Sequence, residues 1–248
     1  MAIPNRVFRN MLLAIPVYNE KKTIPSLIKQ TLANLPEQVH RVVCIDDGST
    51  DGSAEVLDEE ARRHSNIEIV HQAQNGGYGR SILTSLEIGR ARGYTHVITM
   101  DCDLQHRPED LIRFVQEPLD IDLVSGSRYM PESQSQGHAP GDRMEINGRI
   151  TALLNSRYNW NLTDSFCGFK RFRLAKIDPS VFSETGYAFP MEFWAYARAQ
   201  KLTIHEIPVS RIYTTDNRTF GEDLDRKRRR YRYYLETLHR SERKFKLQ

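Results

Sequence analysis

Short β-rich runs alternate with amphipathic helical patterns through the first half of the chain. Parallel strands need a crossover connection, usually a helix, so this alternation predicts a mostly parallel sheet with helices on both faces. The predicted strands cover residues 12–17, 41–45, 67–71, 95–100 and 122–126, and the predicted helices cover 23–35, 53–64, 78–92 and 108–117. We therefore predict an α/β fold with a Rossmann-like sheet flanked by helices.

A polar segment rich in Gly and Pro, residues 131–141, separates this half from the rest and predicts a loop. After it, we predict helices at 143–158 and 190–200, strands at 169–173 and 203–209, and a long final helix. We expect this second half to extend the sheet and to close over its edge.

The pattern of charge argues against a membrane-spanning chain. The longest run without a formal charge covers residues 69–79 and is rich in Gly and Gln, whereas a spanning helix needs roughly 20 apolar residues. The N-terminal residues lack a signal-peptide pattern, so we expect a cytoplasmic protein. Cys44, Cys102 and Cys167 lie too far apart for a metal knuckle or a dense disulfide framework, and we expect reduced, buried thiols.

Polar side chains follow three of the predicted strands, in the segments 16–20, 46–51 and 101–106. Because ligands of open parallel sheets bind beyond the carboxyl ends of the strands, these segments are expected to meet in one crevice. On extended backbone, Asp101 and Asp103 point to one face, with Gln105 as a third oxygen donor. This set favours Mg²⁺ or Mn²⁺ shared with substrate phosphates, although a solvated turn is the alternative for any one segment.

Two further elements near these strand ends could bind phosphate. Arg128 follows the fifth strand and, with a cation, would neutralise a diphosphate. The glycine-rich segment 75–80 opens a helix and could donate backbone N–H groups to a phosphate. It matches neither the dinucleotide-binding pattern nor the Walker pattern, which disfavours a dehydrogenase or a P-loop NTPase.

Six motifs occur in order along the chain: IPVYNE, CIDDGSTDGS, DCDLQHRPED, SGSRY, DSFCGFKRF and GYAFPMEF. Together, over residues 12–209, they resemble family 2 of the inverting glycosyltransferases, which have the GT-A fold, and most closely the dolichol-phosphate or polyprenol-phosphate mannose synthase branch. The resemblance implies metal-dependent transfer of a sugar from a GDP- or UDP-linked donor to an acceptor, with polyprenol phosphate the foremost candidate. A soluble hydroxyl acceptor and a non-catalytic nucleotide-sugar binding protein stay open as alternatives.

The same resemblance implies a set of site residues. The expected ligands of the nucleotide sugar are Pro16, Tyr18, Glu20, Ile45, Asp47, Asp101, Cys102, Asp103, Gln105, Arg128 and Arg218, and those of the metal are Asp101, Asp103 and Gln105. Arg143 and Asn155 fall in the helix that borders the acceptor groove of the family. The resemblance also implies a GT-A domain over 1–220, with a nucleotide-sugar half at about 11–130 and an acceptor half at about 142–220. The charge and the apolar pattern of residues 221–248 predict a basic amphipathic helix there.

Asp103, Arg128 and Glu192 are the predicted catalytic residues. Glu192 would act as general base for a hydroxyl acceptor, but it could equally be the first-turn acid of a helix that follows Pro190. A phosphate acceptor, already anionic near neutral pH, would not depend on it.

Other side chains near the motifs also have two interpretations. His106 could reach a phosphate, or it could be a capping or solvent-facing imidazole. Four aromatic residues could wall an acceptor groove or belong to the core: Trp160, Trp194, Phe166 and Phe169.

The tail 221–248 gives the clue about partners. It holds ten Lys and Arg against five Asp and Glu, a net charge of +5, whereas the whole chain carries +3. Apolar residues recur in a helical stripe at Leu224, Tyr231, Leu235, Leu238 and Phe245. The tail is either a packed helix with a solvated basic face or a face that rests on an anionic membrane surface, which would put the protein at the inner face of a membrane.

The basic run 226–230 also suggests a nucleic acid as partner. We expect no such partner, because the acidic crevice would repel a polyphosphate.

Overall fold

The computed structural model describes residues 10–137, 140–213 and 224–247. Its strands are β1 (Met11–Val17), β2 (Val39–Asp46), β3 (Ile67–His71), β4 (His96–Thr99), β5 (Leu123–Ser127), β6 (Ser135–Gln136), β7 (Lys170–Arg173), β8 (Ile204–Pro208) and β9 (Arg211–Ile212). The main sheet has the order β3-β2-β1-β4-β7-β5-β8, while β6 and β9 pair with each other. Within the main sheet β7 is antiparallel to β4 and β5, and the other pairs are parallel, so the predicted mostly parallel sheet is confirmed.

The helices are α1 (Ile24–Ala33), α2 (Ser53–Arg63), α3 (Tyr78–Ala91), α4 (Leu111–Gln116), α5 (Gly141–Tyr158), α6 (Phe189–Ala199) and α7 (Lys227–Lys244). Each lies where the sequence predicts a helix, with ends that differ by a few residues. The segment predicted at 108–117 differs most, because it opens as a short 3₁₀ turn over Pro108–Asp110 and becomes α-helical only at Leu111.

The two faces of the sheet are buried under separate hydrophobic clusters. Along β1, Leu12 and Ala14 join the cluster beneath α3, α5, α6 and α7, whereas Leu13 and Ile15 join the cluster beneath α1, α2 and α4. This division follows from the two-residue period of a strand, and it explains why β1 is apolar throughout.

Helix α7 packs on the domain through the predicted apolar stripe. Tyr234 and Leu238 are buried in the cluster beneath α6 and α7, and Tyr231 and Leu235 are partly buried against it. The basic run at the start of α7 does not form one solvated face, however, because Arg230 is only 3% exposed and points inward.

Within the described residues, no helix is long and apolar enough to cross a membrane. The three cysteines are buried and unpaired, as predicted. Burial raises the pKa of the Cys44 and Cys167 thiols to about 12, so both stay protonated near neutral pH.

Candidate functional site

Residues at the carboxyl ends of β1, β2, β4 and β5 line one cavity of about 660 Å³, which confirms that the predicted segments converge. Helices α5 and α7 supply other parts of its wall. The charged residues that line the cavity are Glu20, Asp47, Asp101 and Asp103 from the first half of the chain, and Arg128, Arg143 and Arg230. The cavity therefore combines a carboxylate-rich part with arginines, a distribution that suits a ligand with phosphate groups and a cation.

Most of the predicted ligands of the nucleotide sugar line this cavity: Pro16, Tyr18, Glu20, Asp47, Asp101, Cys102, Asp103, Gln105 and Arg128. Arg218 lies outside the described residues. Ile45 is not among the lining residues, because strand alternation directs its side chain, fully buried, into the cluster beneath α3 and α5.

Hydrogen bonds lock the loop after β1 to the loop after β2. Asn19, in the left-handed region at φ 55°, accepts from the Thr50 N–H at 2.8 Å, and its own N–H donates to Ser49 Oγ at 3.0 Å. The Glu20 N–H donates to Ser53 Oγ at 2.8 Å. Tyr18 and Glu20 are thus carried on a loop that the neighbouring strand end holds in place.

Asp47 organises the glycine-rich loop. Its Oδ1 accepts from the Gly76 N–H at 2.8 Å and its Oδ2 accepts from the Gly77 N–H at 2.9 Å. Burial raises the pKa of Asp47, although these two hydrogen bonds act in the opposite direction. The glycine N–H groups that the sequence offered to a phosphate are therefore already bound to a carboxylate, and this loop is a structural part of the cavity wall.

The glycine-rich loop also presses against the segment that precedes α6. A methyl group on Gly77 would lie 2.6 Å from the Thr185 carbonyl oxygen, and Gly77 adopts φ 93°. This close approach brings Tyr78 and Tyr187 together as a stacked pair, with ring centroids 6.2 Å apart. Both rings line the cavity, and sequence patterns gave no sign of Tyr187 as a wall residue.

Asp101, Asp103 and Gln105 lie in a turn after β4, so the prediction that they share an extended strand is wrong. Leu104 adopts the left-handed φ of 59°, and Asp103 Oδ1 accepts from the Gln105 N–H at 3.0 Å. All three side chains still line the cavity. The described residues contain no cluster of three or more His, Cys, Asp or Glu able to hold a metal alone. Two carboxylates and an amide oxygen instead fit a hard cation that substrate phosphates help to coordinate.

Two residues lie close to the carboxylate of Asp101. His106 Nε2 lies 3.4 Å from Asp101 Oδ2, and the imidazole is 3% exposed with its ring 5.3 Å from that of Phe169. His106 therefore does not face solvent and is not among the residues that line the cavity, because the turn folds it back against Asp101 and Phe169. On another side, a methyl group on Gly168 would lie 2.6 Å from Asp101 Oδ1.

Arg128 is held by Asp164, a partner that sequence analysis missed. Arg128 donates from Nε to Asp164 Oδ2 at 2.7 Å and from a terminal nitrogen to Oδ1 at 3.0 Å. Asp164 is fully buried, and it also accepts from Asn147 Nδ2 and from the backbone N–H groups of Phe166 and Cys167. Burial would raise the pKa of Asp164, but Arg128 and the hydrogen bond from the Phe166 N–H lower it to about 2.

The second part of the cavity is lined by α5, α7 and aromatic side chains. Its members are Arg143, Ile146, Asn147, Phe166, Tyr213, Arg230 and Tyr234. Asn155 is not among the lining residues; its side chain instead bonds the backbone N–H and carbonyl of Leu162. Trp194 and Phe169 are fully buried core residues, so of the four aromatic candidates only Phe166 lines this cavity within the described structure.

Glu192, the predicted general base, does not line the cavity. The side chain is 1% exposed, accepts from the backbone N–H groups of Ser183 and Glu184, and pairs with Lys244 of α7 at 2.7 Å. Burial would raise its pKa, but Lys244 and these hydrogen bonds lower it. The general-base prediction is wrong, since Glu192 is the first-turn acid of α6 and fastens α7 to the domain.

A protein-family model described as glycosyl transferase family 2 matches residues 13–178. The chain is 29% identical over 210 residues to the polyprenol monophosphomannose synthase of Mycolicibacterium smegmatis, with 83% of this chain and 78% of the relative covered. It is 28% identical over 203 residues to the undecaprenyl-phosphate mannosyltransferase of Micrococcus luteus, with 81% and 82% covered.

Solved structures of glucosyl-3-phosphoglycerate synthase from Mycobacterium tuberculosis are also similar. The complex with UDP has a TM-score of 0.69 at 19% identity, and the alignment covers 94% of this chain and 80% of that chain. The complex with Mn²⁺, UDP and glucosyl-3-phosphoglycerate has a TM-score of 0.68 at 20% identity, with the same coverage. These likenesses confirm the predicted GT-A fold.

Proposed function

Because the chain belongs to glycosyl transferase family 2, we propose that it transfers a sugar from a nucleoside-diphosphate sugar to a polyprenol phosphate in a reaction that needs a divalent cation. Both curated relatives named above are enzymes of polyprenyl phosphates, and each aligns over about four fifths of this chain. The structural relatives were solved with UDP and Mn²⁺, which supports a nucleotide and a cation in the same cavity.

The observation that carries the proposal is the distribution of charge in the cavity. Asp101 and Asp103 line its metal-binding part, whereas Arg143 and Arg230 line the part built by α5 and α7. A reaction between a nucleoside-diphosphate sugar and a phosphate acceptor brings two phosphate-bearing groups together, so each needs its own positive charge. A neutral hydroxyl acceptor would instead need a general base, and Glu192 is not among the residues that line the cavity.

The chemistry is a single displacement. An oxygen of the acceptor phosphate forms a bond to the anomeric carbon, the bond from that carbon to the diphosphate breaks, and the nucleoside diphosphate leaves with the bonding electrons. The configuration inverts and no proton has to move, because the acceptor phosphate is already anionic. A cation held by Asp101, Asp103 and Gln105 would offset the charge that develops on the leaving diphosphate.

We assign the chain's own residues to this reaction as follows. Asp103 would help to hold the cation, and Arg128, kept charged and oriented by Asp164, directs its positive charge at the diphosphate. The nucleotide contacts the part of the cavity lined by Pro16, Tyr18, Glu20 and Asp47.

A transfer assay tests the proposal. Purified protein is incubated with GDP-mannose, UDP-glucose or UDP-N-acetylglucosamine, Mn²⁺, and either undecaprenyl phosphate or undecaprenol. We expect glycosylated lipid from one of the donors with the phosphate acceptor and none from the alcohol, with the reaction stopped by EDTA and by Asp103→Ala. Transfer to the alcohol or to a soluble hydroxyl in preference to the phosphate would contradict the proposed acceptor. Nucleotide binding without turnover for any donor would favour the non-catalytic alternative.

We also propose that the exposed basic residues at the start of α7 bring the cavity to an anionic membrane surface. Arg226, Arg228, Arg229 and Arg232 are exposed, whereas Arg230 is buried and cannot contribute. Arg228→Gln is expected to weaken sedimentation with phosphatidylglycerol liposomes about fivefold at low salt, because a basic residue near such a surface is worth about 1 kcal/mol.

The matched control is Arg62→Gln, an exposed arginine on α2, which packs on the opposite face of the sheet from α7. This control should bind liposomes as the unmodified protein does. Equal loss for both variants would mean that net charge, rather than a face of α7, governs membrane association.

A further inference from the structure

We propose that Arg230 of α7 is a specificity-determining residue that binds the phosphate of the acceptor; this inference rests on the proposed function. Helix α7 begins at Lys227, far beyond residue 178, where the family match ends. Arg230 and Tyr234 nevertheless line the cavity together with Arg143 of α5. The C-terminal helix thus completes the binding site and is more than a basic appendage.

Arg230 is almost fully buried and still lines the cavity. Its side chain is 3% exposed, one terminal nitrogen donates to the Leu224 carbonyl oxygen at 2.8 Å, and the other contacts Asp142. Buried arginine is rare and needs a reason. Arg171, which is fully buried, shows the structural alternative, because its guanidinium donates to the backbone carbonyls of Phe114, Glu117 and Pro118 and it does not line the cavity.

Arg230 and Arg143 line the same cavity. Tyr234 lines the cavity with them; burial raises its pKa to about 12, and the positive charges of Arg230 and Arg143 both oppose that rise. Beside it, the Phe166 ring lies 4.7 Å from the Tyr234 ring, and Ile146 also lines the cavity. Two arginines next to apolar walls match a phosphate that carries a hydrocarbon chain.

The metal-binding part of the cavity is distinguishable from this part by the elements that carry its side chains. Asp101 and Asp103 follow β4 and Arg128 follows β5, whereas Arg143 and Arg230 lie on α5 and α7. This placement assigns Arg230 to the acceptor rather than to the leaving diphosphate.

The competing explanation is that Arg230 only fastens α7 to the start of α5 through Asp142. A change at Asp142 distinguishes the two explanations, since the Asp142 side chain is 37% exposed and does not line the cavity. If Arg230 matters only through this ion pair, removing Asp142 should reproduce the loss of Arg230. If Arg230 binds the acceptor phosphate, removing Asp142 should leave the phosphate site intact.

The test compares four variants of the full chain: Arg230→Met, Arg230→Lys, Asp142→Asn and Arg243→Met, the last an exposed position in the final turn of α7. Initial rates are measured while undecaprenyl phosphate and the sugar nucleotide are varied in turn. We expect Arg230→Met to raise KM for the lipid phosphate about tenfold or more, the scale of a lost hydrogen bond between charged groups, with KM for the donor unchanged. Arg230→Lys should restore part of the loss, and Asp142→Asn and Arg243→Met should resemble the unmodified protein.

Equal increases in KM for Arg230→Met and Asp142→Asn would overturn the inference in favour of the fastening role, and an unchanged KM for Arg230→Met would overturn it outright. Binding of geranyl phosphate, measured by calorimetry, gives a readout without turnover. Binding by the unmodified protein but not by Arg230→Met supports the inference even if no sugar is transferred, whereas absence of binding by both overturns it. Unaltered nucleoside-diphosphate affinity verifies that the variant is folded.

Discussion

Replacing Asp164 with Ala is expected to lower the free energy of unfolding by about 3–5 kcal/mol, because the change leaves a buried guanidinium without its counter-ion. Arg128 donates two side-chain hydrogen bonds to this carboxylate, and its side chain is only 14% exposed. Asn147 and two backbone N–H groups lose the same acceptor. Urea denaturation followed by circular dichroism measures the loss.

The matched control is an ion pair at the surface. Glu59 and Arg63 of α2 pair with side chains that are 53% and 57% exposed, and Glu59→Ala should change the free energy of unfolding by less than about 1 kcal/mol. Asp164→Ala with a similarly small change would mean that water reaches Arg128 and that the pair is not the anchor described above.

The same carboxylate should contribute to the acid sensitivity of the protein. The pKa of Asp164 is about 2 in the folded state against an ordinary value of 3.8, so its pKa is depressed on folding. Its stabilising contribution is therefore fully present above pH about 4 and is lost as the pH falls from about 4 to about 2. Asp164→Ala should unfold with a weaker pH dependence across that window than the unmodified protein.

Replacing Gly168 with Ala is expected to weaken Mn²⁺-dependent nucleotide binding and turnover by about 10- to 100-fold, the range seen when a group that positions a metal ligand is altered. The added methyl group would lie 2.6 Å from Oδ1 of Asp101, so the carboxylate has to rotate away. Only the end of a side chain has to move, and the fold should survive. Titration with a nucleoside diphosphate, with Mn²⁺ or EDTA present, measures the effect.

Gly148→Ala is the matched control, since a methyl group there meets no atom within 4 Å. It lies inside α5, where Ala is a better helix former than Gly, and it should leave binding unchanged. Asp103→Ala should reproduce the binding defect of Gly168→Ala. Undiminished metal dependence in Gly168→Ala would show that Asp101 does not hold the cation.

The strands and the edge where the site lies were predictable because they depend on local patterns. A β-rich run followed by a helical pattern implies a crossover, and crossovers direct the segments after β1, β2 and β4 to one edge of the sheet. The side chains at that edge, among them Asp47, Asp101 and Asp103, are identifiable from the sequence. Six ordered motifs then pointed to the family, and the family match and the relatives confirm it.

The sequence-based predictions failed where the outcome depended on a backbone turn or on contacts between distant residues. The spacing of Asp101 and Asp103 places them on one face only if the backbone is extended, but the left-handed Leu104 makes this segment a turn. Glu192 follows a helix-starting proline in the sequence, and it could be assigned as a base or as a first-turn acid. Contacts with Lys244, 52 residues away, decide between the two.

The sequence by itself determined the α/β class, the order of strands and helices in the chain, the family and the edge that carries the site, because each depends on periodicity, on turn chemistry or on motifs contiguous in the chain. The pairing of polar groups depends on the tertiary structure. Asp164 pairs with Arg128, and Asp47 accepts hydrogen bonds from the glycine-rich loop. Arg230 turns inward although it belongs to a basic run. Such pairings join residues far apart in the chain, and many carboxylates could satisfy a given arginine. Packing of the helices on the sheet selects one of them by burial and distance.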